Sequence, residues 1–163
     1  MKRVILSFLI AGFATHVVAE QKLGRVTNRP IPRFVSIKTD KANVRRGPSK
    51  THRVDWVLKR RDLPVQIIAE YEHWRRIRDF EGVTGWVHYS LLSGVRTVII
   101  TDEMVDLHVR PDAKSAVSAR VEQNVVARLG QCEVDWCRIN AAGYKGWAPK
   151  TKFWGVDADE LRD

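Results

Sequence analysis

The chain has 163 residues, 44% of them hydrophobic, and a formal net charge of +9. This composition predicts a folded chain and excludes wholesale disorder, collagen, coiled coils and multi-pass membrane proteins. Two cysteines are too few for a cysteine-dense mini-protein, and the length suits one domain or two small ones.

The first nineteen residues have the pattern of an export signal. Lys2 and Arg3 precede a mainly apolar run, and Val17-Val18-Ala19 supplies the small-residue cleavage pattern, so we expect cleavage after Ala19. An uncleaved membrane anchor is the alternative, but about 15 mainly apolar residues are fewer than the roughly 20 that span a bilayer. We therefore expect an exported protein, periplasmic or secreted, with no stable membrane insertion after cleavage.

The charge is unevenly distributed along the exported part. Residues 20–96 contain 17 basic and 8 acidic residues, whereas residues 97–163 contain 9 and 11. An electrostatic partner is therefore expected on the first half, although the same charge would also serve solubility. Outside the cytoplasm we expect no nucleic-acid partner; the abundant anionic partners there are cell-wall stem peptides, lipid headgroups and other proteins.

Residues 20–33 contain two prolines and no apolar periodicity, which predicts a flexible linker. The remainder repeats itself at offsets of 61 to 63 residues. The matched strings are Asn43-Val44-Arg45-Arg46-Gly47-Pro48 with Asp106-Leu107-His108-Val109-Arg110-Pro111, Trp74-Arg75-Arg76-Ile77 with Trp136-Cys137-Arg138-Ile139, and Gly85-Trp86-Val87 with Gly146-Trp147-Ala148. Two copies follow, at 34–94 and 95–155.

Each copy contains short β-branched and aromatic runs bounded by Gly, Pro, Asp or Asn, which predicts strands rather than helices. In the first copy these runs are 34–39, 54–58, 63–71, 74–79 and 85–88; in the second they are 98–101, 117–121, 125–131, 136–140 and 146–149. Five strands in about 60 residues predict an all-β fold of two tandem five-stranded barrels. Because so small a domain is marginally stable alone, we expect the two barrels to pack together.

Asn-Val-Arg-x-Gly-Pro, Trp-x-Arg-Ile and Gly-Trp-Val together resemble the bacterial SH3-like (SH3b) domain, and in particular the tandem exported SH3-like proteins of alphaproteobacteria. The resemblance implies a small barrel that serves as a binding module, often for peptidoglycan or peptides. The second copy departs from the pattern at His108, Arg110 and Ala148. These departures put a shared ligand site in doubt more than a shared fold.

The candidate ligand site lies at the basic loop of the first copy. Its cationic side chains offer donors for carboxylates, and the aromatic side chains beside it offer stacking surfaces for a sugar or peptide. The candidate residues are Arg45, Arg46, Lys50, Arg53, Trp56, Tyr71 and Tyr89. The tryptophans at matched strand positions are assigned to the core instead: Trp74, Trp86, Trp136 and Trp147.

Cys132 and Cys137 flank a predicted turn between antiparallel strands, so in an oxidising compartment we expect them to form a disulfide. A redox-active pair is the alternative, although the spacing is not Cys-x-x-Cys. Glu70 and Arg75 hold the corresponding places in the first copy, where a cross-strand ion pair is expected. The acidic segment 156–163 is expected to fray or to fold back on the basic first barrel.

No catalytic motif is recognisable. The four histidines after the signal segment lack metal-ligand spacing, and the cysteines are expected to be bonded, so we predict no enzyme activity, no cofactor and no metal. Peptidoglycan or another envelope polymer is the favoured ligand. The alternatives are a protein-interaction adaptor that regulates an envelope protein and an adhesin for anionic host glycans.

Overall fold

The computed structural model describes residues 21–163, and the predicted export signal lies outside them. The first copy forms one seven-stranded antiparallel sheet, which we call the first barrel, in the order β3-β2-β6-β5-β4-β1-β7. Its strands are β1 (Arg33–Ile37), β2 (Ala42–Arg45), β3 (Val54–Leu58), β4 (Pro64–Tyr71), β5 (Trp74–Arg78), β6 (Thr84–His88) and β7 (Leu92–Ser93). A 3₁₀ turn, Tyr89–Leu91, joins the last two strands.

The second copy repeats this order strand for strand, as β10-β9-β13-β12-β11-β8-β14. Its strands are β8 (Thr97–Ile100), β9 (Met104–His108), β10 (Val117–Glu122), β11 (Val126–Cys132), β12 (Trp136–Ala141), β13 (Tyr144–Pro149) and β14 (Phe153–Trp154), with a 3₁₀ turn at Lys150–Lys152. The predicted tandem all-β fold is confirmed. Each sheet has two strands more than predicted, because β2 and β9 lie in the polar motif and β7 and β14 are only two residues long.

Each barrel has its own apolar core, built from the side chains that point inward along its strands. Fully buried side chains include Ile37, Val65, Ile77 and Val87 in the first barrel and Val98, Ile100, Leu107 and Ile139 in the second. The assignment of all four repeat tryptophans to the core needs correction. Trp74 and Trp147 are buried, but Trp86 and Trp136 are only half-buried, because alternation places Trp86 on the outward side beside buried Val87.

The expected packing of one barrel on the other is present. Ile99 of β8 is 1% exposed and belongs to the core of the first barrel, and Trp154 packs against the same core. The Phe34 and Trp154 rings meet edge to face with centroids 4.9 Å apart. Thr97 Oγ1 also donates to the carbonyl of Asp62 at 2.7 Å. The tandem is thus held by shared apolar contacts rather than by a free hinge.

The prediction of a flexible linker at 20–33 is wrong for the described part of that segment. Leu23 bridges Pro30 in a short hairpin, and Ile31 is buried. The hairpin is fastened to the barrel by Glu70, whose carboxylate accepts hydrogen bonds from the backbone of Val26 and Thr27. Because this fastening residue lies more than forty positions away, local periodicity did not reveal it.

The C-terminal segment 156–163 also differs from expectation, since it neither frays nor covers the basic loop of the first barrel. Arg162 pairs through its backbone with Cys132 at the end of β11. The Lys150 ammonium donates to the carbonyls of residues 158 and 160. Glu160 forms a bidentate ion pair with Arg96, with N–O distances of 2.7 and 2.9 Å. These contacts hold the acidic segment against the second barrel.

Candidate binding cleft of the first barrel

The loop between β2 and β3, residues 46–53, carries most of the predicted cationic side chains. Its shape depends on Arg45, whose Nη1 donates to the carbonyls of Lys50 at 3.0 Å and His52 at 2.7 Å. The His52 ring also packs over Gly47, where a Cβ would approach the ring to 2.5 Å, so a larger residue there would displace the ring. Arg45 is therefore first a positioning residue, because it holds the loop in place.

Two of the predicted site arginines share one carboxylate that the sequence analysis did not include. Asp55 on β3 accepts from Arg53 Nε at 2.7 Å and from Arg46 Nε at 3.1 Å. The hydrogen bond from Arg53, followed by that from Arg46, holds the pKa of Asp55 below its ordinary value. Arg46 and Arg53 consequently belong to an exposed charge cluster that is already partly neutralised.

A cleft of about 280 Å³ opens beside this loop, on the outward side of β2, β5 and β6. It is lined by Asn43, Arg45, Lys50, Trp74, His88, Ser90 and Leu91. The lining includes two cationic side chains and no carboxylate. The lining of the cleft is therefore net positive and favours a ligand that carries negative charge.

Aromatic and imidazole rings form one wall of the cleft. Trp74 meets His88 edge to face with centroids 5.4 Å apart, and the Tyr89 ring lies 4.9 Å from that of His88. Burial and, to a smaller extent, the positive charges of His73 and Lys50 lower the pKa of His88 below 6.5. His88 is thus neutral at pH 7, and the charge of the cleft comes from Arg45 and Lys50.

The structure distributes the predicted site residues over three places. Arg45 and Lys50 line the cleft, and Tyr89 lies in the ring cluster at its wall. Trp56 and Tyr71 are exposed and do not line it: Trp56 lies on the edge strand β3 and Tyr71 at the end of β4. The lining residues that the sequence analysis missed or assigned to the core are Asn43, Trp74, His88, Ser90 and Leu91.

The second barrel has a cleft at the matching place, lined in part by Asp106, His108, Ala113, Trp136, Pro149 and Lys152. The repeat offsets pair Asn43 with Asp106 and Lys50 with Ala113. Asp106 forms an ion pair with Arg120 at 2.9 Å, and Arg120 also lines this cleft. The second cleft has therefore kept the architecture of the first but not its uncompensated positive charge.

The predicted disulfide is confirmed, because the sulfur atoms of Cys132 and Cys137 are bonded at 2.01 Å. The expected ion pair at the equivalent place of the first barrel is also present, with Arg75 Nε 3.6 Å from Glu70 Oε1. Among residues 21–163, no group of three or more metal-ligating side chains is arranged to hold an ion, and no helix has the length and apolar character to span a membrane.

Comparison with known proteins identifies both halves of the chain. A family model described as "Bacterial SH3 domain" matches residues 38–94 and 101–155. No curated protein matches the sequence. Among solved structures, NlpC2 from Trichomonas vaginalis is 15% identical with a TM-score of 0.35, covering 77% of this chain and 50% of its own. NlpC1 from the same organism is 14% identical with a TM-score of 0.36, covering 80% and 48%. The chain thus spans about half the length of each.

Proposed function

Because the chain belongs to the bacterial SH3 domain family, we propose that it is an exported, non-enzymatic binding protein whose first barrel recognises peptidoglycan. The ligand group that the cleft suits best is a carboxylate of a stem peptide. Export is supported by the signal-like pattern of residues 1–19. The observation that carries the ligand proposal is the cleft beside the loop 46–53, with two cations and no carboxylate in its lining.

The functional nitrogens of this cleft are Lys50 Nζ and the outer nitrogens of Arg45. Arg45 Nη1 is occupied by the loop carbonyls, but within residues 21–163 neither Nε nor Nη2 has a hydrogen-bond partner. A carboxylate that enters the cleft receives charge-assisted hydrogen bonds from these groups. The ring wall of Trp74, His88 and Tyr89 then offers apolar faces to the adjoining sugar or peptide.

The matched test uses Lys50→Gln with Lys114→Gln as its control. Lys50→Gln removes one positive charge from the β2–β3 loop, and Lys114→Gln removes one from the equivalent loop of the second barrel. Both side chains lie outside the cores. In co-sedimentation of residues 20–163 with purified wall sacculi, we expect Lys50→Gln to weaken binding about tenfold and Lys114→Gln to leave it unchanged. Binding of the unchanged protein should fall at high salt, because the contacts are between exposed charges. Equal pelleting of the two variants would contradict the assignment of the cleft.

A protein-adaptor function is the second candidate, and the edge strand β3 favours it. Among the described residues, β3 pairs only with β2, and it exposes Trp56 and Val57. An exposed apolar edge is a surface to which a partner strand can add. Under this proposal the unchanged protein captures an envelope protein and Trp56→Ser does not, and neither of them binds sacculi. Strong sacculus binding that depends on Lys50 would argue against it.

A further inference from the structure

A basic groove crosses the outer face of the second barrel, on the three strands β11, β12 and β13, and it has no role in the function proposed above. It encloses about 240 Å³. Its lining residues are Arg128, Leu129, Gly130, Gln131, Arg138, Ile139, Asn140 and Lys145. Three of these carry positive charge, none carries negative charge, and the two aliphatic side chains are buried in the core.

The cations of this groove are held together by the strand register. Asn140 lies opposite Arg128 on one side and opposite Lys145 on the other, and Arg138 lies two residues earlier on the same side of β12. Within residues 21–163, none of the three cationic side chains has an ion-pair partner within 4.0 Å. Their clustering is unfavourable in the absence of an anion, because neighbouring like charges on one sheet face repel.

A bulge forms the floor of the groove. Gly130 and Gln131 on β11 together face the single residue Arg138 on β12. A Cβ on Gly130 would lie 3.0 Å from the Arg138 carbonyl, so a larger residue would crowd the floor. Glycine inside a strand often marks a place where a ligand or another backbone approaches closely.

The first barrel shows that the fold does not require such a groove. The repeat offset of 62 pairs Gly130 with Ile68, Gln131 with Ala69, and Arg128 with Gln66. The Gln66 side chain accepts a hydrogen bond from Arg78 at 2.5 Å, and Arg76, which corresponds to Arg138, donates to Thr84 Oγ1 at 3.5 Å. The open, unengaged arrangement is therefore particular to the second copy.

The three basic residues of the groove lie in a part of the chain that is acidic overall. Residues 97–163 contain 9 basic and 11 acidic residues, so a basic surface is not expected there from composition. Nevertheless three of those nine basic residues line one groove without a carboxylate. A neighbouring cavity shares Arg128 and Asn140 and extends toward Asp62, whose carboxylate is the only one among its lining residues in the described part of the chain.

We propose that this groove is a second ligand site and that it binds an anionic polysaccharide. Two guanidinium groups suit bidentate pairing with carboxylates or sulfates, and the amides of Gln131 and Asn140 can both donate to and accept from sugar hydroxyls. Arg128 and Lys145 stand two strands apart, about 10 Å, which suits a polymer with repeated acidic groups. The concave floor and the lack of exposed apolar side chains in the lining favour a chain that enters the groove over a flat lipid surface.

The test measures binding of soluble polymers in a Lys50→Gln background, so that the cleft of the first barrel is weakened. The probes are polygalacturonate, which carries carboxylates, dextran sulfate, and neutral dextran. We expect the double change Arg128→Gln with Arg138→Gln to weaken binding of at least one acidic polymer more than tenfold. The control, Arg110→Gln with Lys114→Gln, removes the same charge from exposed positions of the same barrel and should change affinity less than twofold. Neutral dextran should not bind.

A separate variant tests the floor of the groove. Gln131→Glu adds a carboxylate at an exposed position of the groove. It should weaken the binding of the acidic polymers, and the effect should be largest at low salt. Equal losses in the two double variants would overturn the proposal, as would no binding of either acidic polymer. Binding to vesicles containing phosphatidylglycerol that requires Arg128 and Arg138, without polymer binding, would also overturn it. Sacculus pelleting reports on the first cleft separately, so either proposal can fail alone.

Discussion

The Glu70 carboxylate holds the N-terminal hairpin on the first barrel, and its neutralisation should release the hairpin. Its side chain is fully buried and accepts from Arg33 Nη2 at 2.7 Å, Thr27 Oγ1 at 2.6 Å and two backbone N–H groups. Burial opposes its ionisation, but the hydrogen bonds from Thr27, Arg33 and the backbone outweigh burial and hold its pKa at about 2.

The magnitude follows from the difference between that pKa and the ordinary value of 4.5. At 1.36 kcal/mol per pKa unit, ionised Glu70 stabilises the fold by about 3 kcal/mol at neutral pH. Since the pKa is lower in the folded state, this contribution is complete above about pH 5 and is lost as the pH falls toward 2. Glu70→Gln also leaves the buried Arg75 without its carboxylate partner, which adds to the loss.

The assay is urea unfolding of residues 20–163 between pH 2 and pH 7, with Glu72→Gln as the control because Glu72 is exposed nearby. We expect Glu70→Gln to lower the free energy of unfolding by at least about 3 kcal/mol at pH 7 and to flatten its pH dependence below pH 5. Trypsin should also cleave after Arg25 faster in this variant. Parallel pH profiles for Glu70→Gln and the unchanged protein would refute the reasoning.

Three further predictions concern other contacts. Replacing Cys132 and Cys137 together by alanine should lower the free energy of unfolding in urea by about 2 kcal/mol relative to the oxidised unchanged protein, and reducing the unchanged protein should give the same loss. Ile99→Ala should cost about 3 kcal/mol and separate the unfolding of the two barrels in calorimetry; a single unchanged transition would contradict the shared core. Glu160→Gln should cost about 2 kcal/mol and expose the C-terminal segment to proteolysis, because Arg96 loses a two-pronged partner.

The sequence was sufficient to predict the tandem all-β architecture because the repeated motifs consist mainly of strand-forming residues. Matched Trp-x-Arg-Ile and Gly-Trp motifs locate β5, β6, β12 and β13, although they did not show that Trp86 and Trp136 are only half-buried. The short β7 and β14 could not be predicted, since two residues carry no periodicity. The N-terminal hairpin and the C-terminal segment were misread for a different reason: each is held by distant side chains, Glu70 and Arg96, that no local pattern connects to them.

The candidate site was predictable only in part. The basic composition of the loop pointed to Arg45 and Lys50, which line the cleft. It could not show that Arg45 Nη1 is occupied by loop carbonyls or that Asp55 partly neutralises Arg46 and Arg53. These pairings depend on the register between β2 and β3, which a bulge shifts by one residue before Arg45.

The two copies have the same strand order but place their unpaired positive charge on different surfaces. In the first, the cleft holds Lys50, and Ile68 stands at the place that corresponds to the groove floor; in the second, Asp106 enters the cleft, and Gly130 leaves the groove open. Net charge alone would assign all electrostatic binding to the first copy. Because Ile99 joins the two barrels through a common core, both surfaces belong to one packed unit, and a substitution at one surface can be compared with the other in the same folded protein.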